Sequence, residues 1–363
     1  MSGPAAGTAV AATTTDVVCL GESMVTFLPS QPGRLADVPS FGRGIGGAES
    51  NVACALAAAG HRAAWVGRVG ADGFGDHLVE TIASYGVDTS AVRRDPVRPT
   101  GIYFRTATDR GTDTHEVAYY RAGSAASAMS PANMPYEELF AGRVLHLSGI
   151  TAALSGDCLA LLRELTAPRA GRPLVSFDVN HRPHLWRGGD ADASVLLELA
   201  RRSDLVFVGE DEAEEAWGIV GAEAIRAAVP EPAVLVVKRG SAGATVFASG
   251  PRPGPRSSNA GGAETVTHVP ALRVDVVAAV GAGDAFAAGF LSATLRGLSV
   301  RDRARHGHLM AAAVLTVPGD LTEPPARDHA DRLVALDDDA WGRLRLGPGW
   351  TAADRASEEV RTP

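Results

Sequence analysis

Short apolar runs rich in β-branched residues alternate with helical segments along most of the 363-residue chain. Residues 17–21, 174–180 and 233–238 are runs of this kind, and each ends at a glycine or a polar residue. Continuous apolar runs are typical of parallel strands that are covered by helices on both faces. We therefore predict an α/β fold with a doubly wound, mostly parallel sheet, and ligands bound at the carboxyl ends of its strands.

Composition and charge restrict the partners that such a chain can have. It contains 45% hydrophobic and 21% charged residues, as expected for a globular protein with a substantial core. The formal net charge of −8 argues against nucleic acid or an anionic membrane as a partner. The three cysteines are widely separated and the histidine pairs have no cysteine nearby, so we expect neither a disulfide nor a metal-ligand cluster. A small molecule in a pocket is the expected ligand.

The sequence shows no signal for export or membrane insertion. Residues 1–15 are rich in Ala, Thr and Gly without the basic and apolar regions of a signal peptide, so a disordered tail is predicted there. No run approaches the roughly 20 apolar residues that a membrane-spanning helix requires. We therefore expect a cytoplasmic protein.

The stretch from Ala278 to Phe290 predicts a binding site for an anion. Glycines at 281 and 283 form a loop that leads into an alanine-rich helix. The first amide groups of a helix have no partner within it, and the helix dipole attracts negative charge to them. Asp284 is placed to take a proton from an attacking hydroxyl group, which indicates phosphoryl transfer to an alcohol. Taken alone, the stretch leaves open a simple glycine turn with a helix cap.

Two segments between residues 100 and 121 predict a hairpin with a distinctive face. If residues 101–106 and 117–121 are strands, each places a tyrosine and an arginine on the same side. The two pairs are Tyr103 with Arg105 and Tyr119 with Arg121. An exposed face with cation–π pairs is the open alternative.

Two glycine-rich blocks flank this hairpin, namely Gly46-Gly47-Ala48-Glu49-Ser50-Asn51 and Gly281-Ala282-Gly283-Asp284. With this order of elements the chain resembles the ribokinase-like (PfkB) family of carbohydrate kinases over roughly residues 16–335. The resemblance implies a kinase domain at 16–340 with a small β-sheet lid from about 24–45 and 97–122, and a C-terminal extension at 341–363. It also implies that a sugar hydroxyl attacks the terminal phosphate of ATP, which binds together with Mg²⁺.

The resemblance further implies roles for individual residues. Asp284 would be the catalytic base, and the loop of Gly281, Ala282 and Gly283 would form the anion hole. Substrate contacts are implied for Gly47, Asn51, Tyr103, Tyr119, Arg121, Ile150, Arg182 and Asp284. Nucleotide contacts are implied for Glu212, Lys238, Gly240, Gly243, Ala282, Gly283 and His308. No residue is expected to ligate a metal directly, because Mg²⁺ would arrive with ATP and Glu212 would hold it through water.

The substrate side of the predicted site carries positive charge. Arg105, Arg121 and Arg182 can pair with a carboxylate in bidentate fashion. Neutral-sugar kinases of the family typically carry an aspartate at a place where this chain has Thr26. Segments such as 119–125 and 178–182 resemble the branch of the family that phosphorylates the sugar acid 2-keto-3-deoxygluconate. A neutral-sugar kinase of the fructokinase or ribokinase type and a non-catalytic sugar-acid sensor stay open.

The chain departs from the family pattern at three places. Ala278 stands where relatives have an aspartate that helps to hold a monovalent cation, so we expect a weak response to K⁺. The usual Asn-x-x-Glu motif begins here with Gly209, and His308 replaces an asparagine near the adenine. The hairpin has a second face with Ile102 and Phe104, and this apolar face predicts a homodimer or higher homo-oligomer through the lid.

Overall fold

The computed structural model describes residues 15–31, 33–106, 116–186, 192–249 and 263–352. Its strands are β1 (Val17–Leu20), β2 (Met24–Pro29), β3 (Phe41–Gly46), β4 (Ala63–Val66), β5 (Arg68–Gly70), β6 (Arg93–Asp95), β7 (Ile102–Arg105), β8 (Val117–Tyr120), β9 (Val144–Ser148), β10 (Leu174–Asp178), β11 (Leu205–Gly209), β12 (Val234–Lys238), β13 (Ala244–Ala248), β14 (Thr265–Val269), β15 (Arg273–Val274) and β16 (Arg345–Leu346). Its helices are α1 (Ala48–Ala58), α2 (Gly73–Ser84), α3 (Tyr136–Leu139), α4 (Gly149–Ala152), α5 (Gly156–Leu165), α6 (Pro183–Trp186), α7 (Ser194–Arg202), α8 (Glu210–Trp217), α9 (Ala222–Ala228), α10 (Ala282–Leu295), α11 (Val300–Leu315), α12 (Arg327–Val334) and α13 (Asp338–Arg343).

The central element is an eight-stranded sheet with the order β14-β13-β12-β11-β10-β9-β1-β4. The strands from β12 to β4 in this order are parallel, and β13 and β14 continue the sheet in antiparallel fashion. Successive side chains of β1 point to opposite faces of the sheet. Val17 and Cys19 belong to the core cluster that contains α1 and α10, and Val18 and Leu20 to the cluster that contains α5 and α7. The predicted doubly wound, mostly parallel sheet is confirmed.

A second, four-stranded sheet has the order β3-β2-β7-β8 and forms the lid. The predicted hairpin is confirmed, since β7 and β8 pair in antiparallel register with Tyr103 opposite Tyr119. Tyr103 and Arg105 are buried on one face of β7. On the other face, the ring of Phe104 stacks on that of Phe27 with centroids 4.7 Å apart.

The chain beyond residue 340 packs on the domain as far as residue 352. Trp341 and Trp350 are fully buried, and β16 pairs with β15. The buried guanidinium of Arg305 lies 4.5 Å above the ring of Trp341. The segment predicted as a C-terminal extension therefore contributes large apolar side chains to the core, and its remainder from residue 353 lies outside the described residues.

Two further features concern the ends of the chain and its helices. The predicted disordered tail at 1–15 lies outside the described residues except for Thr15. In the part of the chain that the structure describes, no helix combines the length and the apolar character needed to cross a membrane.

Candidate active site

A cavity of about 280 Å³ lies between the lid and the carboxyl ends of the central strands. It brings together most of the residues that the sequence predicted for a site. Of the predicted substrate contacts these are Gly47, Asn51, Tyr103, Tyr119, Arg121, Ile150 and Arg182. Of the predicted nucleotide contacts and the predicted anion hole with its base, these are Glu212, Lys238, Gly281, Ala282, Gly283 and Asp284.

Three predicted nucleotide contacts do not line this cavity. Gly240 and Gly243 belong to the tight turn between β12 and β13, where both have positive φ, of 53° and 106°. His308 is buried on α11, and its Nε2 lies 3.2 Å from the carbonyl oxygen of Val269. Burial lowers the pKa of His308 to about 4, so its ring is neutral at physiological pH. Nucleotide contacts by these three residues stay predictions.

The first turn of α10 forms the floor of the cavity. Gly281 precedes the helix with φ of 78°, and a Cβ at this position would stand 2.7 Å from the carbonyl oxygen of Asp320, so only glycine fits. No described side chain caps the helix, and its first amide groups are left for a ligand. The Nζ atom of Lys238 lies 3.6 Å from the place that a Cβ on Gly283 would take. Backbone amides, a helix dipole and an ammonium group thus converge on one point.

Asp284 lies in this first turn with its carboxylate reachable from the cavity. Its Oδ2 accepts a hydrogen bond of 2.8 Å from Nδ2 of Asn51 on α1. Enclosure by protein raises the pKa of Asp284 to about 7, and the negative charge of Asp178 adds to this effect. The hydrogen bond from Asn51 and the charge of Arg182 act in the opposite direction. A carboxylate with a pKa near neutrality is suited to accept a proton from a substrate.

A buried carboxylate behind the cavity fixes the position of α1. Both Ser148, at the end of β9, and Thr151, on α4, donate a hydrogen bond of 2.8 Å to Oε1 of Glu49. Glu49 is fully buried, and this burial raises its pKa. The two hydroxyl groups hold the first turn of α1, which contains Asn51, against the short helix that carries Ile150 into the cavity.

The arginines at the lid end of the cavity are paired with carboxylates that the sequence analysis missed. Arg121 donates from Nη2 to Glu22, a buried residue that also accepts a hydrogen bond of 2.7 Å from Ser124. Arg105 donates from Nη2 to Asp320 at 2.7 Å. Neither guanidinium is therefore an isolated positive charge, and substrate contact by Arg121 stays a prediction.

The other two cations that line the cavity, Lys238 and Arg182, are also paired with carboxylates. Lys238 lies 3.1 Å from both carboxylate oxygens of Asp178. Burial would lower the pKa of Lys238, but the charges of Asp178 and Glu212 outweigh it and raise the pKa, so the group stays positive. Arg182 has the longest of these ion pairs, with Nη1 3.7 Å from Glu212, and the same atom donates a hydrogen bond of 2.9 Å to the carbonyl oxygen of His181. Its side chain is 45% exposed.

Aromatic rings form the wall of the cavity under the lid. The rings of Tyr103 and Tyr119 lie 5.5 Å apart, and the ring of His184 stacks on Tyr119 at 5.0 Å. Burial raises the pKa of Tyr103, so its hydroxyl stays protonated and can donate a hydrogen bond. Rings beside polar groups are typical of pockets that bind the carbon skeleton of a small polar ligand.

Metal ligands are sparse in this region. Among the described residues, no group of three or more His, Cys, Asp or Glu side chains is arranged to hold a metal ion. The carboxylates of Asp178 and Glu212 nevertheless both line the cavity near Lys238. Oxygen donors are the ligands that Mg²⁺ prefers, and this ion usually keeps several of its waters.

A doubly wound sheet, a β-sheet lid and a helix N-terminus at the floor of the cavity between them define the class of ribokinase-like kinases. A model described as the pfkB family carbohydrate kinase matches residues 14–327. The chain belongs to this family and is a carbohydrate kinase, as its resemblance predicted.

Individual relatives are similar over nearly the whole chain. The 2-dehydro-3-deoxygluconokinase of Bacillus subtilis is 34% identical over 318 residues, which cover 86% of this chain and 93% of that protein. Fructokinase-1 of Oryza sativa subsp. japonica is 32% identical over 279 residues, which cover 76% of this chain and 81% of that protein. Among solved structures, the PfkB protein from Polaromonas sp. JS666 has a TM-score of 0.73 at 32% identity, covering 87% of this chain and 99% of the other.

Proposed function

We propose that this kinase transfers the terminal phosphoryl group of ATP to a hydroxyl of a sugar acid, with 2-keto-3-deoxygluconate as the substrate and its 6-phosphate as the product. The observation that carries the proposal is the position of Asp284. Its carboxylate lies in the first turn of α10, beside the open amides of Ala282 and Gly283, and faces the cavity. A base and an anion site in one helical turn are what phosphoryl transfer to an alcohol requires.

In the proposed reaction, Asp284 takes the proton of the attacking hydroxyl. The hydroxyl oxygen then forms a bond to the terminal phosphorus, the bond from this phosphorus to its bridging oxygen breaks, and ADP leaves. The amides of Ala282, Gly283 and Asp284 stabilise the negative charge on the transferring group. Lys238 contributes a positive charge at the same point, because its Nζ lies beside Gly283.

On the nucleotide side, we propose that Glu212 and Asp178 orient the waters of Mg²⁺ that binds with ATP. Mg²⁺ would neutralise charge on the phosphates. The backbone amide of Gly209 donates to Oε2 of Glu212 at 2.7 Å, which fixes this carboxylate at the start of α8. We further propose that Gly240, Gly243 and His308 contact the nucleotide outside the cavity described above.

On the substrate side, we propose that Arg182 and Arg121 bind the carboxylate of the sugar acid. Arg182 has the loosest ion pair of the cavity and is half exposed, so its guanidinium can turn to a ligand. Arg121 uses Nη2 for Glu22, and we propose that its Nη1 donates to the substrate. Tyr103, Tyr119, Ile150 and Gly47 would surround the carbon chain.

Phosphorylation of a neutral sugar is the second candidate function. It is favoured by the pairing of Arg105, Arg121 and Lys238 with carboxylates of this chain, which reduces the attraction for an anionic substrate. Similarity to a relative named fructokinase-1 also supports a neutral-sugar substrate.

A panel of sugars and sugar acids, assayed for ADP release with the purified protein, separates the two functions. Under the proposal, 2-keto-3-deoxygluconate gives the highest kcat/KM and fructose and ribose give far lower values. A clear preference for fructose or ribose would support the neutral-sugar function. ATP binding without turnover of any sugar would contradict both.

A further inference from the structure

A buried ion pair joins the lid to the turn that follows α11, and this turn packs against the loop in front of α10. Arg105 at the end of β7 donates to Oδ1 of Asp320 at 2.7 Å, and the side chains of these residues are only 8% and 7% exposed. Asp320 lies in the turn after α11, 215 positions away in the sequence. A charged pair so far from water is costly to separate, because either partner alone would be a buried, uncompensated charge.

The backbone of Asp320 contacts the anion site at the same time. Its carbonyl oxygen and Cα lie 2.7 and 3.0 Å from the place where a Cβ on Gly281 would stand, so the two backbones pack directly against each other. The hydroxyl of Tyr103 in the lid and Oδ2 of Asp320 lie 2.2 and 3.3 Å from the place that a Cβ on Gly46 would take, so Asp320 is also a close neighbour of the lid tyrosine. One residue therefore touches both the lid and the loop that begins α10.

The charge of Asp320 is also felt at the catalytic end of the cavity. Both Asp320 and Asp284 line the cavity. The negative charge of Asp320 raises the pKa of Asp284, although by less than burial and Asp178 do. Among the described residues Nε of Arg105 has no hydrogen-bond partner, so Asp320 is the carboxylate that compensates this guanidinium.

We propose that Asp320 is a positioning residue for phosphoryl transfer, which ties the lid through Arg105 to the Gly281 loop and so fixes the substrate relative to the transferring group. The inference rests on the proposed function. Tyr103 is carried by the lid and Asp284 by α10, so the tie sets the distance between the two sides of the cavity. Phosphoryl transfer depends on an alignment in which the reacting atoms lie about 3 to 3.5 Å apart.

The test compares Asp320→Asn with Asp331→Asn. Asp331 forms an ion pair of 2.6 Å with Arg296 at the opposite end of α10, where its side chain is 39% exposed. For each variant, kcat and KM for sugar acid and ATP are measured, and kcat/KM is followed against pH. Asp320→Asn is expected to lower kcat about 10- to 100-fold with smaller changes in KM, whereas Asp331→Asn is expected to leave kcat unchanged.

The pH profile provides a readout that a loss of stability alone would not change. Asp320→Asn removes a negative charge and leaves the Arg105 cation uncompensated, and both changes favour the ionised form of Asp284. The acid limb of kcat/KM should therefore move to lower pH in this variant. A normal kcat together with an unshifted acid limb would overturn the inference.

A double-mutant cycle tests the tie itself. If Arg105→Gln and Asp320→Asn break the same connection, the double variant should lose no more kcat than the worse single variant. Losses that multiply would contradict the tie. If Asp320→Asn does not fold, Arg105→Gln alone removes the ion pair while Asp320 stays in place, and an unchanged kcat in that variant would overturn the inference. A wild-type protein that turns over no sugar would instead overturn the proposed function, and the inference with it.

Discussion

The Nδ2 atom of Asn51 donates a hydrogen bond of 2.8 Å to Oδ2 of Asp284, across 233 positions of the sequence. This bond joins the first turns of α1 and α10, which begin at the two glycine-rich blocks. It also opposes the rise in the pKa of Asp284 that enclosure and nearby carboxylates cause. The amide therefore both orients the carboxylate and keeps it in a pKa range where it can act as a base at neutral pH.

The first prediction concerns pH. Since Asp284 must be ionised to accept a proton and its pKa in the free protein is about 7, kcat/KM should fall as pH drops below neutrality. Asn51→Ala removes a hydrogen bond that lowers this pKa, so the acid limb should move to higher pH. Profiles of kcat/KM between pH 5 and 9 check both statements, and an acid limb below about pH 5, near the ordinary range of a carboxyl group, would contradict them.

The second prediction concerns substrate charge. Arg182→Met should weaken binding of a sugar acid by about 2 kcal/mol, because a hydrogen-bonded charge pair with the substrate is lost. Binding of a neutral sugar should change much less. Arg163→Met is the matched control, since its side chain is 44% exposed and pairs with Glu198 on the protein surface. Equal losses on 2-keto-3-deoxygluconate and fructose would show that Arg182 does not bind the carboxylate.

Substitution of Arg121 should have a different outcome. Arg121→Met leaves the buried carboxylate of Glu22 without its cation, so the variant should lose stability as well as affinity. Thermal unfolding separates the two effects: Arg182→Met should unfold near the wild-type temperature, and Arg121→Met well below it. Similar unfolding temperatures for the two variants would count against a structural role for the Arg121–Glu22 pair.

The third prediction follows from Ala278. Its buried methyl group cannot ligate a cation, so activity should respond only weakly to K⁺. Titration of KCl against choline chloride at constant ionic strength isolates the specific effect from screening. Several-fold activation by K⁺ alone would indicate that other groups hold the cation.

The fourth prediction is a homodimer formed through the outer face of the lid. Phe104 and Phe27 stack there, and Tyr120 beside them is 65% exposed. Tyr120→Glu should convert the dimer to a monomer, while Val220→Glu, at a residue that is 63% exposed outside the lid, should not. Light scattering at micromolar protein gives the masses, and a monomeric wild-type protein would contradict this prediction.

Much of the fold could be predicted from the sequence because the signals for it are local. The apolar runs at β1, β10 and β12 define parallel strands, and alternation in residues 101–106 defines the lid hairpin. Helix α11 carries no comparable signal, since residues such as Arg305 and His306 are buried in it by ion pairs and cation–π contacts. Periodicity of apolar residues cannot reveal a helix whose buried side is partly charged.

The candidate site likewise contains residues that the sequence could predict and residues that it could not. Asp284 and the glycines before it are evident because a helix N-terminus has its own sequence pattern. Glu22 and Asp320 were missed because their roles depend on arginines 99 and 215 positions away. The pairing of the arginines, which bears on the charge of the substrate, is therefore a property of the folded chain.

The most direct test of the central claim is the turnover of Asp284→Asn with 2-keto-3-deoxygluconate and ATP. Loss of a general base typically lowers the rate by about 10² to 10⁴, and binding of the sugar acid, measured by calorimetry, should be nearly unchanged. ADP release by the variant should therefore be about 10²- to 10⁴-fold slower than that of the wild type. Retention of more than about a tenth of the wild-type turnover would contradict a role for Asp284 as the base.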